Sequence, residues 1–249
     1  FTARLRQARE RLEALVAEAA HEVRMPLASL RAQAEVARGE PDTQALRVQV
    51  ERIHEGAVQA SQLVTQLLMD ATVTHRLETR AEPVPVGPIV TEVVRRLDPD
   101  LAERVQLTLS EHAAEQRIDI DRVVLRETLR NLVDNALRYS DGAVEIGISL
   151  EDIWLEFHVR DRGPGIPDSE KATVFGRFKR GEAGAARDRN GSGLGLAIVA
   201  RVVAAQAGTI ELLDRPGGGL DIRLRLPVPS PRKPLPSSST RGPVRAAVM

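Results

Sequence analysis

The chain of 249 residues contains no cysteine, which excludes disulfides, thiolate catalysis and cysteine-ligated metals. It carries no net charge, because 35 basic residues balance 35 acidic ones. Its overall electrostatics therefore give no case for nucleic acid as a main partner. No apolar run approaches the roughly 20 residues of a membrane span, and no signal peptide is visible. An initiator methionine is also missing: the chain starts at Phe1 inside a helical pattern and reads as a fragment whose upstream part has been removed. Lysine is scarce. Only Lys171, Lys179 and Lys233 occur, the other 32 basic residues are arginine, and phosphate contacts must come mostly from guanidinium groups. What is present, 42% hydrophobic and 28% charged residues, is the balance of a globular chain long enough for one large domain or two smaller ones.

The first 80 residues have helical periodicity. Leu12, Val16, Ala19, Val23, Leu27, Leu30, Ala34 and Ala37 recur at steps of three and four, one stripe on a long helix. "RGEPD" (38–42) is a turn. A second stripe follows at Leu46, Val50, Ile53, Ala57, Val64, Leu67 and Ala71. Two such helices form an antiparallel hairpin, and a lone hairpin leaves its stripes half exposed. Pairing two hairpins in a four-helix bundle buries them, so a homodimer held by residues such as Val16, Val23, Ile53 and Leu67 is expected. A bare coiled-coil spacer would give the same pattern, but His21 argues against it. At about 100° per residue, His21 points roughly 150° away from the stripe, into solvent, with Met25 and Ala28 on the same face. A histidine kept for packing would lie on the stripe.

"AEPVPVGP" (81–88) reads as a proline-rich linker. Beyond it the pattern is mixed. Residues 89–97 look helical, and "RVQLTLS" (104–110) alternates like a strand. Asp121 is a plausible N-cap for a helix running to about Tyr139. Residues 143–150 and 153–160 form an antiparallel pair joined at Glu151 and Asp152. Residues 193–206 form a helix, and "TIELLD" and "LDIRLRL" are closing strands around a glycine-rich turn. The pattern predicts an α+β two-layer sandwich over 89–228, with helices on one face of a mixed sheet. The Pro- and Ser-rich tail, 229–249, reads as disordered.

Four segments of this second domain suit a nucleotide. In "NLVDNALRYS", Asn131 and Asn135 lie one turn apart on one helix face, and their amide oxygens are hard ligands suited to Mg²⁺. Alone, the pair would read as an exposed polar face. "DRGPGIP" puts a carboxylate, Asp161, at a strand end, able to accept from an exocyclic amine such as adenine's. Gly163 and Gly165 let backbone approach closely. "VFGRFKRG" holds two of only four phenylalanines, interleaved with Arg177, Lys179 and Arg180. "GSGLGLAI" opens a helix with Gly191, Gly193 and Gly195, and backbone N–H groups there suit anions. It lacks the lysine of a P-loop.

In this order and spacing, the segments resemble the N, G1, F and G2 boxes of the histidine-kinase ATP-binding domain, a Bergerat-type fold. "HEVRMPLASL" (21–30) resembles the H box of the same kinases' dimerisation domain. The resemblance covers roughly residues 10–227 and identifies the chain as similar to bacterial two-component sensor histidine kinases. It implies ATP and Mg²⁺ as cofactors, with His21 as phosphoacceptor and Glu22 as the neighbour that draws the imidazole proton. It implies Asn135 on the metal, Asn131 nearby, Arg138 at the phosphates and Tyr139 against the nucleotide. Asp161 would accept from adenine, and Gly163, Gly165, Ile166, Gly191, Gly193, Leu194 and Gly195 would shape pocket and lid. Arg177 or Arg180 would steady the transferring phosphoryl group. The implied partners are a second copy of the chain and a response regulator, with the membrane reached only through an absent N-terminal sensor. The implied location is the cytoplasmic portion of a bacterial cell-membrane protein. Two positions depart from the pattern: Leu220 and Met25 stand where small hydroxyl or polar residues are usual.

Pro26 cannot donate to the carbonyl of Glu22 and its ring crowds that carbonyl, at a cost of roughly 3 kcal/mol in a helix interior. A bend just after His21 is expected, which would let an ATP-bearing domain reach the histidine and withdraw. His54 and His75 lie on polar helix faces, His112 in a loop and His158 in a strand, with no shared metal-ligand spacing. Two alternatives remain: an ATPase of the same fold that never transfers phosphate to protein, and a degenerate dimeric scaffold.

Overall fold

The computed structural model describes residues 2–77, 81–181 and 191–228; for 2–16, 18, 19 and 22 it describes the backbone alone. Helices α1 (Thr2–Arg38) and α2 (Thr43–Leu77) form the expected antiparallel hairpin. α1 runs as unbroken helix through Pro26. A Cβ added to Gly56 would lie 2.9 Å from Leu30 Cδ2, so the two helices are in close contact there. Nine residues along each helix from that contact, at equal rise, bring His21 level with Thr65. Among the described residues, no helix is long and apolar enough to cross a membrane.

The segment expected as a linker is instead structured. β1 (Glu82–Pro85) pairs antiparallel with β3 (Arg117–Ile120), and α3 (Val86–Arg95) follows directly. Prolines at 83 and 85 hid the strand. In a two-stranded ribbon each strand has an unpaired edge, where a missing N–H costs nothing. The next elements are the single-turn helix α4 (Pro99–Ala102), β2 (Val105–Leu109) and α5 (Glu111–Glu115). α5 places His112 in a short helix rather than a loop, capped by the Ser110 hydroxyl accepting from the Ala113 N–H.

α6 (Arg122–Tyr139) starts where the cap predicted it: the Asp121 carboxylate accepts from the N–H groups of Val123 and Val124 at 2.8 and 3.2 Å. β4 (Val144–Glu151) and β5 (Trp154–Arg160) form the expected hairpin, with the turn one residue later than expected, at Asp152–Ile153. Asp152 takes the left-handed conformation, φ 55°, which Asp tolerates. α7 (Asp168–Lys171), α8 (Gly195–Ala205), β6 (Thr209–Asp214) and β7 (Leu220–Pro227) complete the described elements.

The sheet order is β2-β4-β5-β7-β6, with β2 parallel to β4 and the other pairs antiparallel. Alternation along β4, β5 and β7 turns Ile146, Ile148, Leu155, Phe157, Val159, Ile222, Leu224 and Leu226 inward. They meet Val124, Leu125, Leu132 and Val133 of α6 and Ile198, Val199, Val202 and Val203 of α8 in one core. This is the expected two-layer sandwich. The other sheet face carries a charged ladder in which Glu156 pairs with Arg225, and Asp221 pairs with both Arg160 and His158. His158 thus has a structural role.

α2 is shared between hairpin and sandwich. Val73 is fully buried in the second domain's core, and Leu63 and Leu67 pack against it. Leu67, expected at a dimer interface, therefore faces the second domain. Arg76 donates to the Asp121 carboxylate at 2.8 Å, tying the end of α2 to the cap of α6.

Candidate functional site

Between α6, the segment after β5 and the start of α8 lies a pocket lined by Asn131, Asp134, Asn135, Arg138, Tyr139, Asp161, Gly165, Ile166, Lys179, Arg180, Gly191, Gly193 and Gly195. Four segments far apart in sequence thus converge, as their chemistry suggested. The Asn131 amide nitrogen donates to the Glu127 carbonyl at 2.8 Å, which turns its oxygen away from its own helix. A Cβ on Gly195 would sit 3.0 Å from that oxygen and 3.6 Å from the Asn135 amide nitrogen, so α8 abuts both asparagines only because residue 195 has no side chain. This places two amides beside the helix start, an arrangement suited to phosphates and a hard cation.

The other end of the pocket is built around Asp161, which is 5% exposed. Its carboxylate accepts from the Gly163 N–H at 2.7 Å. Its own N–H donates to the Leu220 carbonyl at 2.9 Å. Burial pushes its carboxyl above the usual range, partly offset by the backbone N–H groups and Arg215. Leu220, Ile222, Ile166 and Val174 give this end an apolar wall. A buried carboxylate at an apolar wall suits a flat base with an exocyclic amine. Ser140 was missed as a support. Its buried hydroxyl accepts from the N–H groups of Arg162 and Gly142, locking the end of α6 to the Asp161 segment.

Gly193 is required by conformation and by space: φ is +69°, and a Cβ would lie 2.7 Å from the Phe178 carbonyl carbon. The two segments are also joined by the Phe178 N–H donating to the Gly193 carbonyl.

Several expected residues lie elsewhere. Arg180 lines the pocket but Arg177 does not; it pairs with Asp70 of α2 at 3.1 Å. Gly163 packs beneath the Tyr139 carbonyl, and Leu194 is buried at the N-cap of α8. His21, Met25 and Ala28 are all exposed on α1, as the helical wheel placed them, and His21 is outside the pocket. The Glu22 side chain, residues 182–190 and the tail 229–249 lie outside the described residues. Gln66 of α2, which the sequence did not single out, also lines the pocket.

Residues 120–230 match the family described as histidine kinase-, DNA gyrase B-, and HSP90-like ATPase. Residues 11–76 match the His Kinase A (phospho-acceptor) domain. The chain is 34% identical to the sensor protein kinase PmrB of Pseudomonas aeruginosa over 97% of its own length and 50% of that protein. It is 32% identical to the sensor protein KdpD of Escherichia coli over 90% of its length and 25% of that protein. It spans about half or less of these curated relatives. Among solved structures, the histidine kinase AdeS of Acinetobacter baumannii shares the fold at 22% identity, with a TM-score of 0.62 over 84% of this chain and 98% of that one. ShkA, solved with AMPPNP, matches at 26% identity and a TM-score of 0.57 over 90% of this chain and 47% of that one. With a phosphoacceptor domain followed by an ATPase domain of this type, the chain belongs to the two-component sensor histidine kinases.

Proposed function

We propose that this chain binds Mg-ATP between α6 and α8, transfers the γ-phosphoryl group to His21, and passes it to an aspartate of a response regulator. The observation that carries the reading is the pairing, in one chain, of a solvent-facing histidine on a helical hairpin with a pocket that joins two asparagine amides, three cations and a buried carboxylate. Asp161 accepts from the adenine amine, and Tyr139 with Ile166 flanks the base. Arg138 and Arg180 neutralise phosphate charge, which phosphoryl transfer needs more than covalent help. Asn135, with Asn131 beside it, would hold Mg²⁺, and the ion would supply charge neutralisation between the phosphates. One imidazole nitrogen of His21 forms the bond to phosphorus as the bond to ADP breaks. The other nitrogen gives up its proton to Glu22, help worth about 10²–10⁴ in rate.

The chain works as a homodimer, and upstream sequence connects it to a sensor in the cell membrane, leaving this portion cytoplasmic. The domains are 1–80 for the phosphoacceptor hairpin and 89–228 for the ATP-binding unit, with 81–88 serving as a structured connection.

The test is incubation with γ-labelled ATP. Label that is acid-labile and alkali-stable is expected on the unmutated chain and absent from His21→Gln, which should still bind ATP within a few-fold. Free phosphate without labelled protein would instead identify a plain ATPase. Labelling of the His21→Gln variant would exclude His21 as acceptor.

A further inference from the structure

Arg104 stands just before β2 and does not line the nucleotide pocket. Its backbone is fixed to the sheet, because its carbonyl accepts from the Val144 N–H at 2.8 Å. From there its guanidinium reaches over the C-terminal end of α6 and donates to three main-chain carbonyls. Nη2 donates to Leu137 at 3.4 Å, to Ser140, and to Gly142 at 3.2 Å, and Nε also donates to Gly142 at 3.4 Å. The last carbonyls of a helix have no partner within it, and the negative end of the helix dipole favours a cation there. The 140–142 turn that Arg104 holds is the same turn that grips the Asp161 segment: the Ser140 hydroxyl accepts from the Gly142 and Arg162 N–H groups at 3.1 and 3.2 Å. Gly163 is pressed against the Tyr139 carbonyl, where a Cβ would collide with the oxygen. The same segment is tied to the 216–218 turn as well, by Arg162 Nη1 donating to the Pro216 carbonyl at 2.7 Å and to the Gly218 carbonyl at 3.3 Å.

We propose that Arg104 is a positioning residue for the nucleobase: anchored on the sheet, it holds the 140–142 turn in place and so sets the Asp161 carboxylate where the adenine amine meets it. This rests on the ATP reading of the pocket. A hydrogen bond weakens steeply as its angle closes, so a small shift of the Asp161 segment matters. The phosphate end does not share the dependence. Asn131, Asn135 and Arg138 lie within α6, which its own backbone bonds and its N-cap at Asp121 hold. Loss of Arg104 is therefore felt at the base and hardly at the phosphates. Arginine suits the task, because its planar fork spans several carbonyls at once where an ammonium is a point donor.

The test measures equilibrium binding, to the whole chain, of Mg-ATP and of the magnesium complex of purine riboside triphosphate, which lacks the exocyclic amine. A hydrogen bond to a charged group is worth roughly 10- to 100-fold in affinity, and the unmutated chain is expected to prefer ATP by about that factor. Arg104→Ala is expected to cut the preference by about 5-fold or more, by weakening ATP alone. It is also expected to speed hydrogen exchange at the Gly142 and Arg162 amides. Arg104→Lys, which keeps the charge and disturbs the fold less, is expected to cut the preference by about 2- to 3-fold. Equal weakening of both nucleotides, with a lowered melting temperature, would make Arg104 a purely structural residue and overturn the role. So would unchanged exchange at these amides, or an unchanged preference in Arg104→Ala, or in Arg104→Lys should the alanine variant not fold. If the unmutated chain binds neither nucleotide, or both alike, the pairing of Asp161 with adenine falls first and the role of Arg104 falls with it.

Discussion

Asp161 combines a binding role with a cost to the fold. Its folded-state carboxyl is raised above its ordinary value, chiefly by burial. A group raised in this way binds its proton more readily folded than unfolded, so its ionised form opposes folding. The penalty is complete above the folded-state pKa and is relieved as pH falls through it. Asp161→Asn is therefore expected to melt higher than the unmutated chain at neutral pH, while losing most of its ATP affinity. Thermal melts with and without Mg-ATP check both halves; a variant that melts lower at neutral pH would contradict the sign. In the unmutated chain, ATP affinity should begin to fall on acidification at a higher pH than an ordinary aspartate would give. A second residue-scale expectation concerns Met25, 62% exposed one turn after His21. Its thioether is a weak acceptor with no proton to give, so it cannot orient a water toward a phosphorylated regulator. Weak phosphatase activity is expected, with Met25→Thr hastening decay of the phosphorylated regulator. Rapid decay with the unmutated chain, unaffected by Met25→Ala, would refute this.

At the scale of elements, Pro26 is the informative case. It lies inside an unbroken helix, yet it removes one backbone hydrogen bond and crowds the turn carrying His21. Pro26→Ala is expected to stabilise α1 by up to about 3 kcal/mol and to slow labelling of His21, because a stiffer helix bends less toward an approaching domain. Labelling at the unmutated rate, with a raised melting temperature, would make the proline a tolerated kink. Elements with a single strong period were legible in the sequence. Asp121 and the stripe behind it placed α6, and strict alternation placed β4, β5 and β7. β1 was not legible, because prolines normally argue against strands and the ribbon it joins depends on a partner more than 30 residues away. Most of the pocket was legible because each box has local chemistry. Gln66 and Asp70 were not, because their role comes from a domain that docks on them, and no local pattern encodes docking.

The molecule as a whole leaves α2 with three faces. One packs on α1, and a second carries Gln66, Asp70 and Val73 into the ATP-binding domain. The third presents Val50, Val64 and Leu68, which are 54%, 41% and 65% exposed, with exposed Ala57 between them. At about 100° per residue these four positions fall within roughly 40° of one another. A line of exposed aliphatic residues along a helix is what a second hairpin would cover in a four-helix bundle. The neighbours Leu67 and Leu68 thus separate two contacts: Leu67 packs on the core of the ATP-binding domain and Leu68 faces outward. Leu68→Glu is expected to give a monomer by light scattering at micromolar concentration with the ATP pocket intact, because a charge would be buried without a partner in the dimer alone, at several kcal/mol. Leu67→Glu is expected to remain dimeric but to loosen the ATP-binding domain from α2, seen as faster hydrogen exchange around residues 63–73. A dimer for Leu68→Glu, or a monomer for the unmutated chain, would show that this face is not the one that pairs.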